Sequence, residues 1–309
     1  MVDAYFKGES FSALLNSYQR PLFLLAHHDD EISSAGLLQR LVPGVRVLWV
    51  TNSDGLYFES DLEPAPYGEV RKREGLVSLE KAGIPASQAR CLDFSEVEIY
   101  RAMARLYESP DSLDQVWPLF AAIRDAVRES ILALEPDLVV TLAWQGGQPE
   151  HDLTHFFGKL ALDSLARATG SRAAFFHVPA YEYTIVLAQR FHPLYHGERL
   201  RLRLSEEELA TKLEMIKAYP SQKRLFGDFE RVFQVLGPVA RLRGYRSVED
   251  YLAVEEFGPV PSDLDYLAKP HFLDFFTYMF DDFEGTPVTF SRSVRPVVAR
   301  ALEEHGLKP

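Results

Sequence analysis

The run Ala26-His27-His28-Asp29-Asp30-Glu31 sets two imidazoles and three carboxylates side by side, directly after the apolar stretch that begins at Pro21. Such groups are costly to bury without partners, and a divalent metal satisfies an imidazole and a carboxylate together. A second polar cluster, GGQPEHDLTH from Gly146 to His155, also follows an apolar run. Its His151 would complete, with His27 and Asp30, a two-His, one-carboxylate set of the kind that leaves a fourth position for water. Asp29 then stays free as a base. Zinc is the first expectation, and ferrous iron suits the same ligands. His151 and His155 also form an H-x-x-x-H pair, but Asp152 and Leu153 offer no glutamate of the H-E-x-x-H kind that metalloproteases use.

These clusters need elements to hold them. Pro21 to Ala26 (PLFLLA) and Val45 to Val50 (VRVLWV) read as buried parallel strands, and Glu31 to Leu41 between them has helical spacing, so the first fifty residues read as a βαβ unit with a right-handed crossover. A second helix is expected over Tyr67 to Ala82, closed by Gly83 and Pro85. Leu119, Ile123, Val127 and Ile131 mark a long helix that stops before Pro136. Asp137 to Leu142 reads as a strand, His151 to about Ala168 as a helix, and Arg172 to Val178 as a strand. This alternation predicts an α/β fold with a parallel sheet covered on both faces. Open sheets of that kind bind ligands at the carboxyl ends of their strands, where both clusters fall. Asp54 follows the second strand in the same way and is a candidate for hydrogen-bonding a sugar hydroxyl, although Asp54-Gly55 also reads as a plain turn.

Composition narrows the function classes. The chain has 309 residues, with 45 acidic against 33 basic side chains and a formal charge of −12. A field of that sign repels phosphate backbones and anionic lipid, so neither nucleic acid nor a membrane is an expected partner. Cys91 is the single cysteine, which excludes an intrachain disulfide and a Cys-based zinc framework. No basic leader precedes the first strand and no apolar stretch is long enough to cross a bilayer, so a soluble, cytoplasmic protein is expected. The Phe-rich run His271 to Gly285 reads as an amphipathic helix packed on the main domain.

Four stretches together resemble the PIG-L-type (LmbE-like) zinc de-N-acetylases. That family's AHPDDE motif appears here as Ala26 to Glu31 with His28 in place of Pro, and its H-P-D-H motif as Gln148-Pro149-Glu150-His151. EVRKREGLVSLEKAGI from Glu69 is similar to the family's R-x-x-E helix, and KAYPSQ from Lys217 to its basic, aromatic, Ser-Gln segment. GYRSVEDYLAVEEF, ending at Phe257, is a weaker match. The resemblance implies a Rossmann-like three-layer fold with a mostly parallel central sheet, a catalytic domain over 1–257 and an aromatic-rich extension over 258–309. It implies His27, Asp30 and His151 as metal ligands, and Asp29 as the base toward the attacking water and then the acid toward the leaving amine. Gln148 stands where the family carries a His, and a Gln donates a hydrogen bond but delivers no proton. Asp29 would then do all the proton transfer, unless His28 or His155 substitutes. Arg71, with Glu74 beside it, would brace or line the site, and Asp54, Arg71, His28 and His155 are the candidate substrate contacts. The expected activity is hydrolytic removal of an acetyl or other small acyl group from an N-acylated amino sugar. Hydrolysis of another amide in a natural-product pathway, or sugar binding without turnover, are the alternatives. A homo-oligomer is left open.

Overall fold

The computed structural model describes residues 14–180, 189–191, 195–224, 226–227, 231, 238, 241, 244–268, 278 and 282–306. Its strands are β1 (Pro21–Leu25), β2 (Arg46–Thr51), β3 (Ala89–Phe94), β4 (Leu138–Leu142), β5 (Ala174–Val178), β6 (Leu200–Arg203) and β7 (Val254–Pro259), with a small hairpin β8 (Asp282–Phe283) and β9 (Thr286–Pro287). The first seven form one sheet in the order β3-β2-β1-β4-β5-β7-β6. Neighbours from β3 to β5 are parallel, and β7 runs antiparallel to both β5 and β6. β1 is central and buried along its whole length, which is why it reads as an unbroken apolar run rather than an alternating one.

Residues of β1 alternate between two cores. Leu22 and Leu24 enter one, with side chains of α3 (Glu96–Glu108), α4 (Leu113–Leu134), α5 (Pro149–Thr169) and α7 (Arg295–Glu304). Phe23 and Leu25 enter the other, with side chains of α1 (Ala35–Arg40), α2 (Pro64–Lys81) and α6 (Glu206–Lys217). The result is the expected α/β three-layer fold with a mostly parallel sheet.

Several boundaries differ from expectation for local reasons. The helix expected from Glu31 begins as a 3-10 turn, Asp30–Ser34, before α1, because Asp30 folds back onto the end of β1. α2 starts earlier than Tyr67, at Pro64, whose missing N–H suits a first helical turn, and Gly83 closes it at φ 79°. The expected domain boundary after Phe257 falls inside β7. Most of the helix expected over His271 to Gly285 lies outside the described residues. Its last part is not helical: Asp282 and Phe283 are β8, and Glu284 and Gly285 form the hairpin turn with φ 51° and 84°.

Candidate metal centre

Three side chains converge where β1 and β4 end. His27 Nδ1 lies 2.9 Å from His151 Nε2, His151 Nε2 lies 3.0 Å from Asp30 Oδ1, and His27 Nδ1 lies 3.9 Å from Asp30 Oδ1. A tetrahedral ion at zinc–ligand distances of about 2.0–2.2 Å separates its ligands by roughly 3.3–3.6 Å, so this triangle suits a divalent cation without rearrangement of the backbone. The other Asp30 oxygen, Oδ2, accepts hydrogen bonds from the Ala26 and His27 amides at 2.9 and 2.8 Å, which fixes the carboxylate and points Oδ1 inward. His151 arrives on the first turn of α5, the end of the helix dipole that favours anions such as a developing oxyanion.

The electrostatics call for a cation. Burial opposes charge on His27, yet the carboxylates of Glu96, Asp30 and Glu150 outweigh it and lift its pKa to about 10. Burial would raise Asp30, but His151 and His27 hold it well below the usual carboxylate range. A proton on His27 thus stands where a metal ion would balance the same acids.

Asp29 sits beside the triangle at φ 125°, a backbone strain that a non-glycine residue adopts only when its surroundings impose it. Its amide donates to Glu31 Oε2 at 3.1 Å, and its carboxylate meets Arg71 Nη2 at 2.8 Å. Burial raises the Asp29 pKa, and the Arg71 charge works against that rise. Arg71 is itself buried, donates to the His28 carbonyl and faces Glu74 at 3.7 Å, while Glu74 accepts from the Ser221 amide at 2.9 Å. Ser221 belongs to the KAYPSQ stretch, so that segment and the α2 helix meet behind Asp29. Tyr219 of the same stretch and Ser78 of α2 donate to Glu31.

Four candidate substrate contacts are placed elsewhere by the fold. His28 is fully buried, stacks on Trp49 with centroids 4.4 Å apart and has Nδ1 2.9 Å from Ser53 Oγ. Burial and then Arg71 push its pKa well down, so it is a neutral packing group and not a substitute acid. His155 is also buried, with Nδ1 on the Leu142 carbonyl at 2.8 Å and Nε2 on the Tyr266 hydroxyl at 3.0 Å. Asp54 gives its oxygens to Ser95 Oγ, the Val97 amide and Asn52, tying the loop after β2 to the start of α3. Arg71 braces Asp29 from behind. Gln148, the N-cap position of α5, is buried three residues before His151, with Oε1 making no hydrogen bond.

Two residues without an expected role stand behind His27. Its Nε2 lies 3.6 Å from Glu96 Oε2, and ligand atoms of His27, Glu96 and Glu150 all fall within 4.8 Å of one another. Burial, followed by the Glu96 charge, pushes Glu150 well above the usual carboxylate range. A carboxylate facing the far nitrogen of a ligating His sets its tautomer and orientation. Glu150 was visible in the second motif. Glu96 had only one signal, an acid just past the half-buried edge strand β3, which the sequence pattern did not mark as a strand.

Residues 22–162 match the model of the GlcNAc-PI de-N-acetylase family, PIG-L. No curated protein matches the chain. Among solved structures, the chain is similar to an A40926 pseudoaglycone deacetylase (21% identity, TM-score 0.53, 80% of this chain and 99% of that one). It is similar to a teicoplanin deacetylase in its zinc-inhibited form (21%, 0.54, 80% and 100%). The N,N'-diacetylchitobiose deacetylase of Pyrococcus horikoshii is more distant at 16%, 0.50, 80% and 85%.

Proposed function

We propose, on the premise that residues 22–162 form a PIG-L family domain, that the protein is a metal-dependent hydrolase that removes an acetyl group from an N-acetylated amino sugar. The observation that carries this reading is the convergence of His27, Asp30 and His151 beside a strained, half-buried Asp29. The three solved structures named above are deacetylases whose names give an A40926 pseudoaglycone, teicoplanin and N,N'-diacetylchitobiose, which supports an amino-sugar amide as the bond cleaved.

His27 Nδ1, Asp30 Oδ1 and His151 Nε2 would hold the metal, with zinc the first choice and ferrous iron the second. When bound, it supplies Lewis acidity toward the amide carbonyl and acidifies water in the open position. Asp29 takes one proton from the attacking water as the new C–O bond forms. Its raised pKa lets it keep that proton until the C–N bond breaks, and it then delivers it to the departing nitrogen, giving acetate and a free amine. Arg71 keeps the Asp29 carboxylate in place and limits how far its pKa rises. Gln148, through its amide nitrogen, donates to the oxygen on which negative charge develops.

The test is acetate release from a panel of N-acetylated sugars by protein stripped with a chelator and then reloaded with Zn2+ or Fe2+. Activity should vanish on stripping and return on reloading. Asp29→Asn should keep the metal and lose at least about a hundredfold in kcat. Loss of metal with this substitution would mean that Asp29 is a ligand. Turnover of no N-acetylated sugar by metal-loaded protein would end the reading.

A further inference from the structure

We propose that Tyr219 is a positioning residue for Asp29: its ring and its hydroxyl brace the two side chains that hold the strained peptide in front of that carboxylate, a role that rests on the reading of Asp29 as the proton carrier. The peptide between His28 and Asp29 is the one whose orientation sets φ of Asp29 at 125°. It is held on both edges. Its carbonyl, from His28, accepts from Arg71 Nη2, and its N–H, from Asp29, donates to Glu31 Oε2 at 3.1 Å. Arg71 Nη2 also meets Asp29 Oδ2 at 2.8 Å, so the clamp reaches the carboxylate as well as the backbone.

Tyr219 lies 188 positions beyond Glu31 and touches both halves of this clamp. Its hydroxyl donates to Glu31 Oε1, the oxygen that also accepts from Ser78 Oγ at 2.7 Å, and the Arg71 guanidinium stands over its ring, 5.2 Å from the centroid. The ring is 1% exposed and Glu31 is fully buried. A buried carboxylate needs donors, and a guanidinium favours the face of an aromatic ring. Burial, followed by the Glu31 charge, holds the phenol far above its ordinary range, so the hydroxyl keeps its proton and donates. The turn that carries Tyr219 is itself tied to α2. Ser221, two residues on, gives its amide to Glu74 at 2.9 Å and accepts from Arg71 Nη1 at 3.4 Å.

A non-glycine residue keeps a φ of this kind only while its surroundings over-determine it. Phe at position 219 would leave a ring under Arg71 and remove one donor from Glu31, so the peptide before Asp29 could turn and carry the carboxylate away from the attacking water. The metal ligands would stay in place, because Asp30 Oδ2 is fixed separately by the Ala26 and His27 amides.

Two measurements on metal-loaded Tyr219→Phe test this role. Hydrogen exchange, read by NMR on 15N-labelled protein, should be at least about tenfold faster at the Asp29 amide and unchanged at the Ala26 and His27 amides. Acetate release from N,N'-diacetylchitobiose should fall about tenfold in kcat with KM and metal content unchanged, since a displaced carboxylate slows turnover without weakening the binding of sugar or metal. In the Asp29→Asn background the same substitution should bring no further loss. Unchanged exchange at Asp29 would overturn the role, and so would a kcat that falls by the same factor with and without Asp29, the mark of a general structural defect. Wild-type kcat in Tyr219→Phe, with Asp29→Asn impaired, would overturn the role and leave the proposed function standing. Wild-type kcat in Asp29→Asn would overturn both the base and its positioning residue. If this sugar is not turned over, the exchange at Asp29 decides alone.

Discussion

At the residue scale, His27 carries two tasks on its two nitrogens. Nδ1 faces His151 and Asp30, which leaves the proton to Nε2, and Glu96 Oε2, 3.6 Å from Nε2 and beyond hydrogen-bond reach, acts on it through its charge. Glu96→Gln should therefore weaken metal affinity by roughly ten- to a hundredfold while the fold survives, measured by competition with a chromophoric chelator. Unchanged affinity would remove Glu96 from the centre. His27→Ala and His151→Ala should each drop metal content far below one ion per chain by mass spectrometry. Gln148 has no titrating group, so the pH–rate profile should lack a limb from this position, and Gln148→Ala should lower kcat by about ten- to a thousandfold with metal retained. Gln148→His should stay active and gain a limb near about 6.5. Wild-type kcat in Gln148→Ala would reduce Gln148 to a helix cap.

At the element scale, the site depends on how closely α2 approaches the sheet. Gly75 lies one turn beyond Arg71, and a Cβ there would come within 2.8 Å of His28 Cδ2 and 3.3 Å of Trp49 Cζ2. Only a bare backbone lets α2 lie against β1 and β2 so that Arg71 reaches Asp29 at 2.8 Å. Gly75→Ala gains helix propensity but must push the helix off the imidazole. A net loss of about 1–3 kcal/mol in denaturant unfolding is expected, with a fall in kcat as Arg71 withdraws. Greater stability in this variant would show that the contact relaxes freely.

At the scale of the whole molecule, buried histidines and buried carboxylates pull stability in opposite directions as pH falls. His155 has its pKa lowered to about 4 by burial, against about 6.5 in an unfolded chain, and His28 and His177 are lowered well below 6.5, also chiefly by burial. Between those values the unfolded chain protonates imidazoles that the folded one keeps neutral, so the histidines' contribution to stability falls as pH drops from about 6.5 to about 4 and is fully present above. His155 alone contributes a loss of about 3 kcal/mol across that window. Burial raises Glu31 and Asp152 to about 7, which works the other way, so the measurement is a difference: between pH 7 and pH 5, His155→Gln should lose less stability, or gain more, than the wild type in unfolding of metal-loaded protein. The same pH dependence in both proteins would mean that the His155 ring is hydrated in solution. No helix among the described residues is long and apolar enough to cross a membrane.

The grouping of His27, Asp30 and His151 and four of the parallel strands, β1, β2, β4 and β5, were legible in the sequence, because both depend on short-range pattern. A strand buried on both faces must be an apolar run, and polar residues at its carboxyl end must face whatever the sheet binds, so β1, β4, His27, Asp30 and His151 could be read from spacing. Which neighbouring polar residues join the site was not legible. His28 differs from His27 by one position along the chain, yet it turns under α2 onto Trp49 and Ser53, and Asp54 is consumed by the start of α3. Glu96 lies 69 positions beyond His27 and reaches it only because β3 and β2 lie beside β1 in the sheet order. Periodicity reports which face of an element is buried. Only the packed fold decides which donors and acceptors meet there, because each buried polar atom takes the partner that geometry brings within reach.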